Sequence, residues 1–259
     1  TIESAGGGGV KMDSGAYKGP ANLHTRDNYI TDNHIHDCGN VFYSACGVLV
    51  MHAFNTTIAH NHIHDMYYSG ISVGWTWGYA DVCSHNNRIE KNHIHNLGKQ
   101  LLSDMGGIYL LGVQPGTVVG GNLIHDITKS EYGGWGIYLD AGSSNIVVEN
   151  NITFRTNSQS FHINFGRENI VRNNIWGFGN EGLIAITRGN ALKWLENKAY
   201  DDGSVTGSIS FLRNIVVTDG KPIYANGAES SCAYLRVATF LAESNLFWDV
   251  SGKGVFGND

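Results

Sequence analysis

The sequence predicts an all-β solenoid, and three observations carry that prediction. The first is a repeated five-residue motif, which reads NHIHD at 33–37 and 61–65, NHIHN at 92–96 and NLIHD at 122–126. The second is the composition, with 34 Gly, 3 Pro and 42% hydrophobic residues but no apolar run long enough to cross a membrane. The third is a pair of apolar residues that accompanies each repeat. A period of about 20 to 50 residues is typical of solenoids.

The apolar pair requires a bend in every repeat. The first Asn of each unit is Asn33, Asn61, Asn92, Asn122, Asn150 or Asn173. A β-branched residue stands three positions before each of them (Ile30, Ile58, Ile89, Val119, Val147, Ile170), and an Ile stands two positions after (Ile35, Ile63, Ile94, Ile124, Ile152, Ile175). One straight strand would send the two members of a pair to opposite faces. Both reach one core if the chain bends at the Asn, which tolerates left-handed backbone angles and can hydrogen-bond its stacked copies.

A second set of apolar residues, spaced i and i+2, predicts a further strand in each unit. The set is Val48/Val50, Ile71/Val73, Ile108/Leu110, Ile137/Leu139, Phe161/Ile163 and Ile184/Ile186. Three short strands per turn, each with its apolar side inward, describe a right-handed parallel β-helix with a pectate-lyase-like architecture, stabilised by stacking of its coils. Weaker copies at Asn214-Ile215 and Asn245-Leu246 extend it to about eight coils. We expect one domain over residues 1–259, with an irregular N-terminal segment at 1–21 and an inserted loop at 189–208.

The histidines of the repeat are expected to stack beside the Asn bend, on the side away from the Ile residues. They are His34, His36, His62, His64, His93, His95 and His125. A metal array is the other interpretation, but it lacks the acidic or Cys partners and the separated ligand set of a closed site. The sequence therefore favours structural stacking, and no metal or cofactor is expected.

Charge and cysteine content argue against nucleic-acid binding and against a framework of disulfides or metal-binding cysteines. Charged residues make up 15% of the chain and the net charge is −6, so there is no basic surface for nucleic acid. Cys38, Cys46, Cys83 and Cys232 have no metal-ligand spacing, so we interpret them as small buried hydrophobic residues rather than a disulfide framework. The chain opens on the loop-like ESAGGGG without a secretion signal, which indicates a mature or partial chain.

Residues that appear once in a solenoid are candidates for chemistry, and SGISVGWTWG at 69–78 is the first such stretch. Trp75 and Trp77 are two apart and point the same way if the chain is extended. They predict either an aromatic platform for sugar rings or a cover for the end of an apolar core.

The other two stretches carry carboxylates. In SDMGGIYLLGVQPG, at 103–116, Asp104 precedes a Gly-Gly corner. In GGWGIYLDAGSSN, at 133–145, Asp140 shares the outward side of a strand with Tyr138. In register, one outward row is Tyr109, Tyr138 and His162, and the next is Leu111, Asp140 and Asn164. These rows predict a polar groove with aromatic walls on an exposed sheet. The alternatives are a solvated loop carboxylate for Asp104 and a turn cap before Gly142 for Asp140.

The motifs together resemble a known family. SGISVGWTWG, DMGGIYLLGVQPGTVVGGNLIHDI, GGWGIYLDAGSSNIVVENN and FGRENIVRNNI are similar to bacterial secreted right-handed β-helix proteins related to glycoside hydrolase family 141, which includes α-L-fucosidases and xylanases. The resemblance covers about residues 22–188, without the N-terminal part of the family's long chains. It implies a secreted or periplasmic glycosidase that acts on plant or algal polysaccharide and uses acidic residues, here Asp104 and Asp140. The chain departs from the family at Ala141, where relatives carry a second acid, and at Asn164, where they carry a second His, and either change implies altered specificity or lost activity.

Glycoside hydrolysis needs two carboxyl groups, about 5 Å apart for retention and about 6.5 to 9.5 Å apart for inversion. Our hypothesis pairs Asp104 with Asp140, with His162 tuning or orienting Asp140. The substrate-binding candidates are Trp75, Trp77, Tyr109, Glu131, Tyr138, Asn164 and Arg167. A seven-residue offset would separate the two Asp by about 23 Å in extended chain. The pair therefore requires residues 97–106 to fold back over the groove; otherwise Asp140 works with Glu131 or His162.

The sequence is also compatible with two other functions. A polysaccharide lyase or uronate epimerase needs a base and a positive group or Ca²⁺ for the uronate, for which Arg167 and Arg188 are candidates. A carbohydrate-binding solenoid would hold glycan in the groove without turnover. The predicted partner in every case is a polysaccharide or oligosaccharide.

Overall fold

The computed structural model describes residues 1–14, 19–187, 209–224 and 240–254. Within these ranges the regular structure is β-strand, apart from a short 3₁₀ turn at Ala21–Leu23. None of the described residues form a helix with the length and apolar character needed to span a bilayer. The predicted inserted loop at 189–208 lies outside the described residues.

The strands stack into three long parallel sheets. Sheet 1 contains β1 (Ile2–Glu3), β5 (His34–His36), β9 (His62–His64), β12 (His93–Leu97), β15 (Leu123–Ile127), β19 (Ile152–Thr156), β23 (Ile175–Gly179), β26 (Ile215–Thr218) and β28 (Leu246–Asp249). Sheet 2 contains β2 (Val10–Met12), β6 (Val48–Val50), β10 (Ile71–Val73), β13 (Gly106–Leu110), β16 (Trp135–Leu139), β20 (Phe161–Asn164) and β24 (Ile184–Thr187). Between residues 29 and 187, each coil adds one strand to each of the three long sheets in chain order.

The third long sheet completes the coil. Sheet 3 contains β4 (Tyr29–Thr31), β8 (Thr57–Ala59), β11 (Arg88–Glu90), β14 (Val118–Gly120), β18 (Val147–Glu149), β22 (Asn169–Arg172), β25 (Ile209–Leu212) and β27 (Phe240–Glu243). Two short pairs extend the corners, β3 (Thr25–Arg26) with β7 (Ala53–Phe54) and β17 (Ser143–Ser144) with β21 (Gly166–Arg167). The predicted all-β parallel helix is therefore confirmed.

The core is built from aliphatic rows that run along the stack. In sheet 1, Ile35, Ile63, Ile94 and Ile124 are aligned as direct neighbours and are fully buried. In sheet 2 the aligned inward row is Val48, Ile71, Ile108, Ile137, Phe161 and Ile184. Because each strand is short, an inward residue packs mainly on its copies in the coils above and below, as solenoid stacking requires.

A ladder of buried Asn side chains holds one corner of the stack. Each amide donates to the Asn Oδ1 of the next coil at 2.9 to 3.1 Å, through Asn33, Asn61, Asn92, Asn122, Asn151, Asn174, Asn214 and Asn245. The left-handed bend lies one residue earlier, for example at Asp32, His60 and Lys91. The predicted ladder exists, but the Asn that forms it is not the residue that bends.

In the fifth and sixth units the predicted frame is wrong by one residue. In Asn150-Asn151 and Asn173-Asn174 the first Asn takes the left-handed conformation and the second joins the ladder. Ile152 and Ile175, expected inside, are 40% and 37% exposed, and the inward residues are Thr153 and Trp176. A one-residue shift reverses the face of every side chain in a strand.

The histidines form the predicted stacks on the outer face of sheet 1. His36, His64, His95 and His125 lie nearly parallel, with ring centroids 4.9 to 5.0 Å apart. His34 stacks on His62 at 4.8 Å, and His62 on His93 at 4.9 Å. Burial and the neighbouring imidazoles lower the pKa of His62 to about 4. The same causes lower the pKa values of His34, His93 and His95.

The N-terminal segment at 1–21, expected to be irregular, contributes to two sheets. Ile2 pairs with Ile35, and Val10 pairs with Val48, so β1 and β2 extend the first coil. The apolar residues at these positions repeat the inward pattern, and the glycines between them form the corner. Cys38, Cys46 and Cys83 are buried free thiols, as predicted, and Cys232 lies outside the described residues.

Candidate active site

The outer face of sheet 2 carries the predicted row of ring side chains. Tyr109 is aligned with Tyr138, and Tyr138 with His162. The three are only 3%, 3% and 4% exposed, so the face is not the open groove that the sequence suggested. A second apolar cluster covers it, formed by Tyr79, Tyr109, Leu111, Trp135, Tyr138, Ala141 and Phe165 with Trp75 and Val113 beside them. Strand alternation indicates which residues point outward but not which loops fold over them.

Close backbone contact at residues 141 and 142 holds the tryptophan-bearing segment against this face. The amides of Gly78 and Gly112 donate to the Ala141 carbonyl at 3.1 and 3.3 Å. Gly142 has a φ of +81°, and a Cβ there would lie 2.0 Å from the Gly78 carbonyl oxygen. Ala141, where relatives were expected to carry an acid, is itself buried in the apolar cluster. A small residue at this position is therefore part of the packing.

Asp140 lies at the end of β16 with both carboxylate oxygens engaged. The Tyr109 hydroxyl donates to Oδ2 at 2.6 Å, and the Asn164 amide donates to Oδ1 at 2.8 Å. The side chain is 5% exposed. Asn164, the second departure from the resembling family, thus holds Asp140 directly. Hydrogen bonds donated to both oxygens fix the orientation of the carboxylate.

Asp104 reaches the same region because its segment folds back over sheet 2, as the hypothesis required. Gly98, Lys99, Gln100 and Asp104 all have positive φ angles, so the chain turns sharply before β13. The Asp104 amide donates to the Tyr132 carbonyl at 3.0 Å, and the Asp104 carbonyl accepts from the Tyr68 hydroxyl at 2.7 Å. These bonds connect the turn to the neighbouring coils.

The two carboxyl groups act on each other electrostatically. Burial, and then the nearby charge of Asp140, raise the pKa of Asp104 to about 6, against a smaller opposing effect of Tyr138. Burial, and then the nearby charges of Asp140 and Asp104, raise the pKa of Tyr138. Asp104, Asp140 and Tyr138 therefore lie in one neighbourhood, as two acids that act on a single glycosidic bond must.

His162 does not have the predicted role beside Asp140. Its ring is stacked on Tyr138 at 4.9 Å, and its Nε2 lies 2.8 Å from the Thr187 hydroxyl. Its Nδ1 is buried without a hydrogen-bond partner, and burial lowers the pKa of the ring to about 3. A neutral, stacked imidazole packs the site, while Tyr109 and Asn164 orient Asp140. A sequence register gives adjacency on a face but not the direction in which a ring nitrogen points.

The remaining candidates lie at different distances from the carboxylates. Trp77 is 56% exposed and packs on half-buried Trp75, whose ring is 6.2 Å from Tyr109, so both predicted tryptophans border the site. Glu131 is exposed. The Arg167 guanidinium lies over the Tyr79 ring at 4.5 Å.

Two tyrosines were missed by the sequence analysis. Tyr68 holds the Asp104 turn, and Tyr132 is 54% exposed with its pKa raised by burial, Asp104 and Asp140. Tyr68, Tyr132 and Asp104 each stand one or two residues before a glycine that precedes or begins a strand of sheet 2. This common position in the repeat could have indicated that the two tyrosines lie near Asp104. Within the described residues, the side chains spaced to hold a metal ion are histidines of sheet 1.

Comparison with known proteins identifies the fold family. Residues 1–102 and 76–199 match the family model of the right handed beta helix region. This chain belongs to the right-handed β-helix family. The predicted handedness of the β-helix is therefore confirmed. A search of curated protein sequences finds no match.

Two solved structures are similar to this β-helix. One is described as a glycoside hydrolase, with a TM-score of 0.53 and 20% identity over 94% of this chain and 34% of that chain. The other is an alginate lyase from Paenibacillus sp. str. FPU-7, with a TM-score of 0.57 and 15% identity over 95% of this chain and 76% of that chain. The chain thus spans about a third of the length of the first. At these identities the likeness concerns the fold.

Proposed function

We propose that the protein is a glycoside hydrolase in which Asp104 is the general acid and Asp140 is the carboxylate that attacks the sugar or activates water. The observation that carries the proposal is a pair of carboxyl groups that act on each other electrostatically, of which Asp104 has its pKa raised to about 6. Glycosidases need one protonated and one ionised carboxyl group at the same bond. Environments that separate the protonation of two neighbouring acids supply that pair.

The environments assign the two roles. The pKa of Asp104 is raised to about 6, so part of the population is protonated near neutral pH and can donate to the leaving oxygen. Asp140 accepts hydrogen bonds on both oxygens and is oriented by Tyr109 and Asn164. Trp77 and Tyr132 at the exposed border supply ring faces of the kind on which sugars stack.

The charge of the site favours a neutral stretch of plant or algal polysaccharide as substrate. Within the described ranges, neither Asp104 nor Asp140 forms an ion pair with Lys, Arg or His. A uronate carboxylate beside these two acids would be repelled without a compensating cation. A sugar without a carboxylate avoids that cost.

The alternative is a polysaccharide lyase, and the similarity to an alginate lyase favours it. A lyase would use Tyr109 or Asp140 near the sugar C5 and a cation to neutralise the uronate. Arg167, the described candidate, is engaged by the Tyr79 ring. For that reason hydrolysis is the better supported reaction.

A substrate panel distinguishes the two reactions. Xylan, fucosylated glycans, pectin and alginate are incubated with the protein, and reducing ends and ultraviolet absorbance are followed together. Hydrolysis is expected to release reducing ends from a neutral glycan without an increase in absorbance. Products with an unsaturated bond would establish the lyase reaction instead, and tight glycan binding without any product would establish a binding module.

The pH dependence of hydrolysis should report the protonation of Asp104. Because the general acid acts in its protonated form, kcat/KM is expected to fall as the pH rises through about 6, the raised pKa of Asp104. The measurement is kcat/KM between pH 4.5 and 8 on the substrate that the panel identifies. Exposed Asp32 provides the control, since Asp32→Asn should leave the profile unchanged. A rate that increases across this interval would contradict the assignment of Asp104 as the acid.

A further inference from the structure

The outer face of sheet 1 presents more than a stack of rings, because its histidines are also joined edge to edge. The Nε2 atoms of His34 and His64 are 2.7 Å apart. The same contact recurs one coil later between His62 and His95 at 2.8 Å. A third copy joins His93 and His125 at 2.9 Å. Each contact links an imidazole of one coil diagonally to an imidazole of the next.

Carboxylates behind the rings decide which nitrogen carries the lone pair. His64 Nδ1 lies 2.5 Å from Asp65, and His125 Nδ1 lies 2.6 Å from Asp126. A carboxylate at Nδ1 keeps the proton there and leaves Nε2 as an electron-pair donor. The same carboxylate–imidazole arrangement orients histidines that bind metal ions. The sequence alone indicated no acidic partners for a metal array. The last residue of the repeat supplies them, and its carboxylate contacts the ring nitrogen opposite the one that would bind the ion.

Two trios of rings converge closely enough to share one ion. The first is His34, His62 and His64, and the second is His62, His93 and His95; within each trio the donor atoms lie within 4.8 Å of one another. Three nitrogens around a tetrahedral zinc are about 3.3 Å apart, given Zn–N bonds of about 2.0 to 2.1 Å. An ion that replaces the proton shared by His34 and His64 therefore requires that pair to open by roughly 0.6 Å, and donor atoms at the 4.8 Å limit to approach each other by roughly 1.5 Å. Half-buried rings on a sheet surface leave the fourth position to water.

We infer that this histidine face is a binding site for a divalent transition-metal ion, held principally by His34, His62 and His64 and repeated at His62, His93 and His95. Imidazole donors select zinc, copper or nickel over magnesium or calcium. The second trio has Asn96 where the first has Asp65, so its outer ring lacks the carboxylate and the site is the weaker one. The inference is independent of the proposed hydrolase.

Isothermal titration of the metal-free protein with Zn²⁺ tests the site. Wild type is expected to bind one Zn²⁺, because the two trios share His62, and to ignore Mg²⁺. His62→Gln removes a ligand from both trios and should lower the affinity at least about 100-fold, and Asp65→Asn should lower it about 10- to 100-fold. His85 lies outside the histidine face of sheet 1 and stacks on Phe54. His85→Gln is therefore the matched control and should bind Zn²⁺ as wild type does.

Cu²⁺ provides a second readout that does not depend on variants. Its electron paramagnetic resonance spectrum in wild type should show hyperfine coupling to more than one imidazole nitrogen. Circular dichroism establishes that each variant is folded, and if His62→Gln does not fold, Asp65→Asn and the Cu²⁺ spectrum decide. Absence of Zn²⁺ binding in wild type, equal affinity in Asp65→Asn, or coupling to a single nitrogen would each overturn the site.

Discussion

Replacing Asp140 by Asn is expected to abolish glycoside hydrolysis and to leave the β-helix folded. The substitution keeps the shape of a side chain that is 5% exposed, and the amide can still hydrogen-bond Tyr109 and Asn164. It removes the negative charge that the reaction needs at the anomeric carbon or at the attacking water. Loss of a catalytic carboxylate of this kind should lower kcat/KM by roughly 10³- to 10⁴-fold, with the melting temperature within a few degrees of wild type.

The companion variants separate catalysis from folding. Asp104→Asn should cause a comparable loss, because the acid and the attacking carboxylate act on the same bond. Asp32→Asn is the matched control, since Asp32 is exposed at a left-handed bend that Asn tolerates equally well. A fully active Asp140→Asn protein would show that Asp140 takes no part in the chemistry.

The largest loss of stability is expected from Asn122→Ala in the middle of the ladder. The Asn122 side chain donates to Asn151 Oδ1 and to the Ile89 carbonyl, both at 2.9 Å. It also accepts from the backbone and the side chain of Asn92, both at 3.0 Å. Alanine leaves these four buried partners short of a hydrogen bond. At about 1 to 3 kcal/mol for an unsatisfied buried group, with partial relaxation, the cost should be about 3 to 5 kcal/mol.

Chemical denaturation measures this cost. The midpoint of the first unfolding transition in urea should shift strongly for Asn122→Ala, because neighbouring coils lose both a strand contact and the corner that positions it. Asn180→Ala serves as the control, since Asn180 is exposed and lies outside the ladder, and its shift should stay within about 0.5 kcal/mol. Equal shifts in the two variants would mean that the ladder contributes little to stability.

The sequence predicted the coil because its two signals, the odd spacing of apolar pairs and the repeated Asn, arise from one geometry. The predicted strand frame was wrong where two consecutive Asn residues made the assignment ambiguous. In Asn150-Asn151 either residue suits the left-handed bend and either suits the ladder, and an exposed Ile152 looks like a core residue. Only pairing with the neighbouring coil, which places Thr153 beside Ile124, fixes the frame.

The site was predictable where it depends on strand register and not where it depends on loops. Tyr109, Tyr138, Asp140 and Asn164 follow from alternation along aligned strands. The approach of Asp104 required a run of left-handed residues that no periodicity encodes. Burial of the face likewise depends on loops from several coils that pack together only in the folded chain.

Unequal coil length has a consequence for how such a molecule diversifies. Successive ladder asparagines are separated by as few as 23 and as many as 40 residues, yet the amide bonds between them have the same length to within a few tenths of an ångström. Coil length can therefore vary without displacing the next rung, and in the described coils Trp77, Asp104 and Tyr132 lie in the connections between strands. Insertions and deletions there can remodel substrate preference while the scaffold stays unchanged, so exchanging corner segments between homologues is a direct route to new specificities.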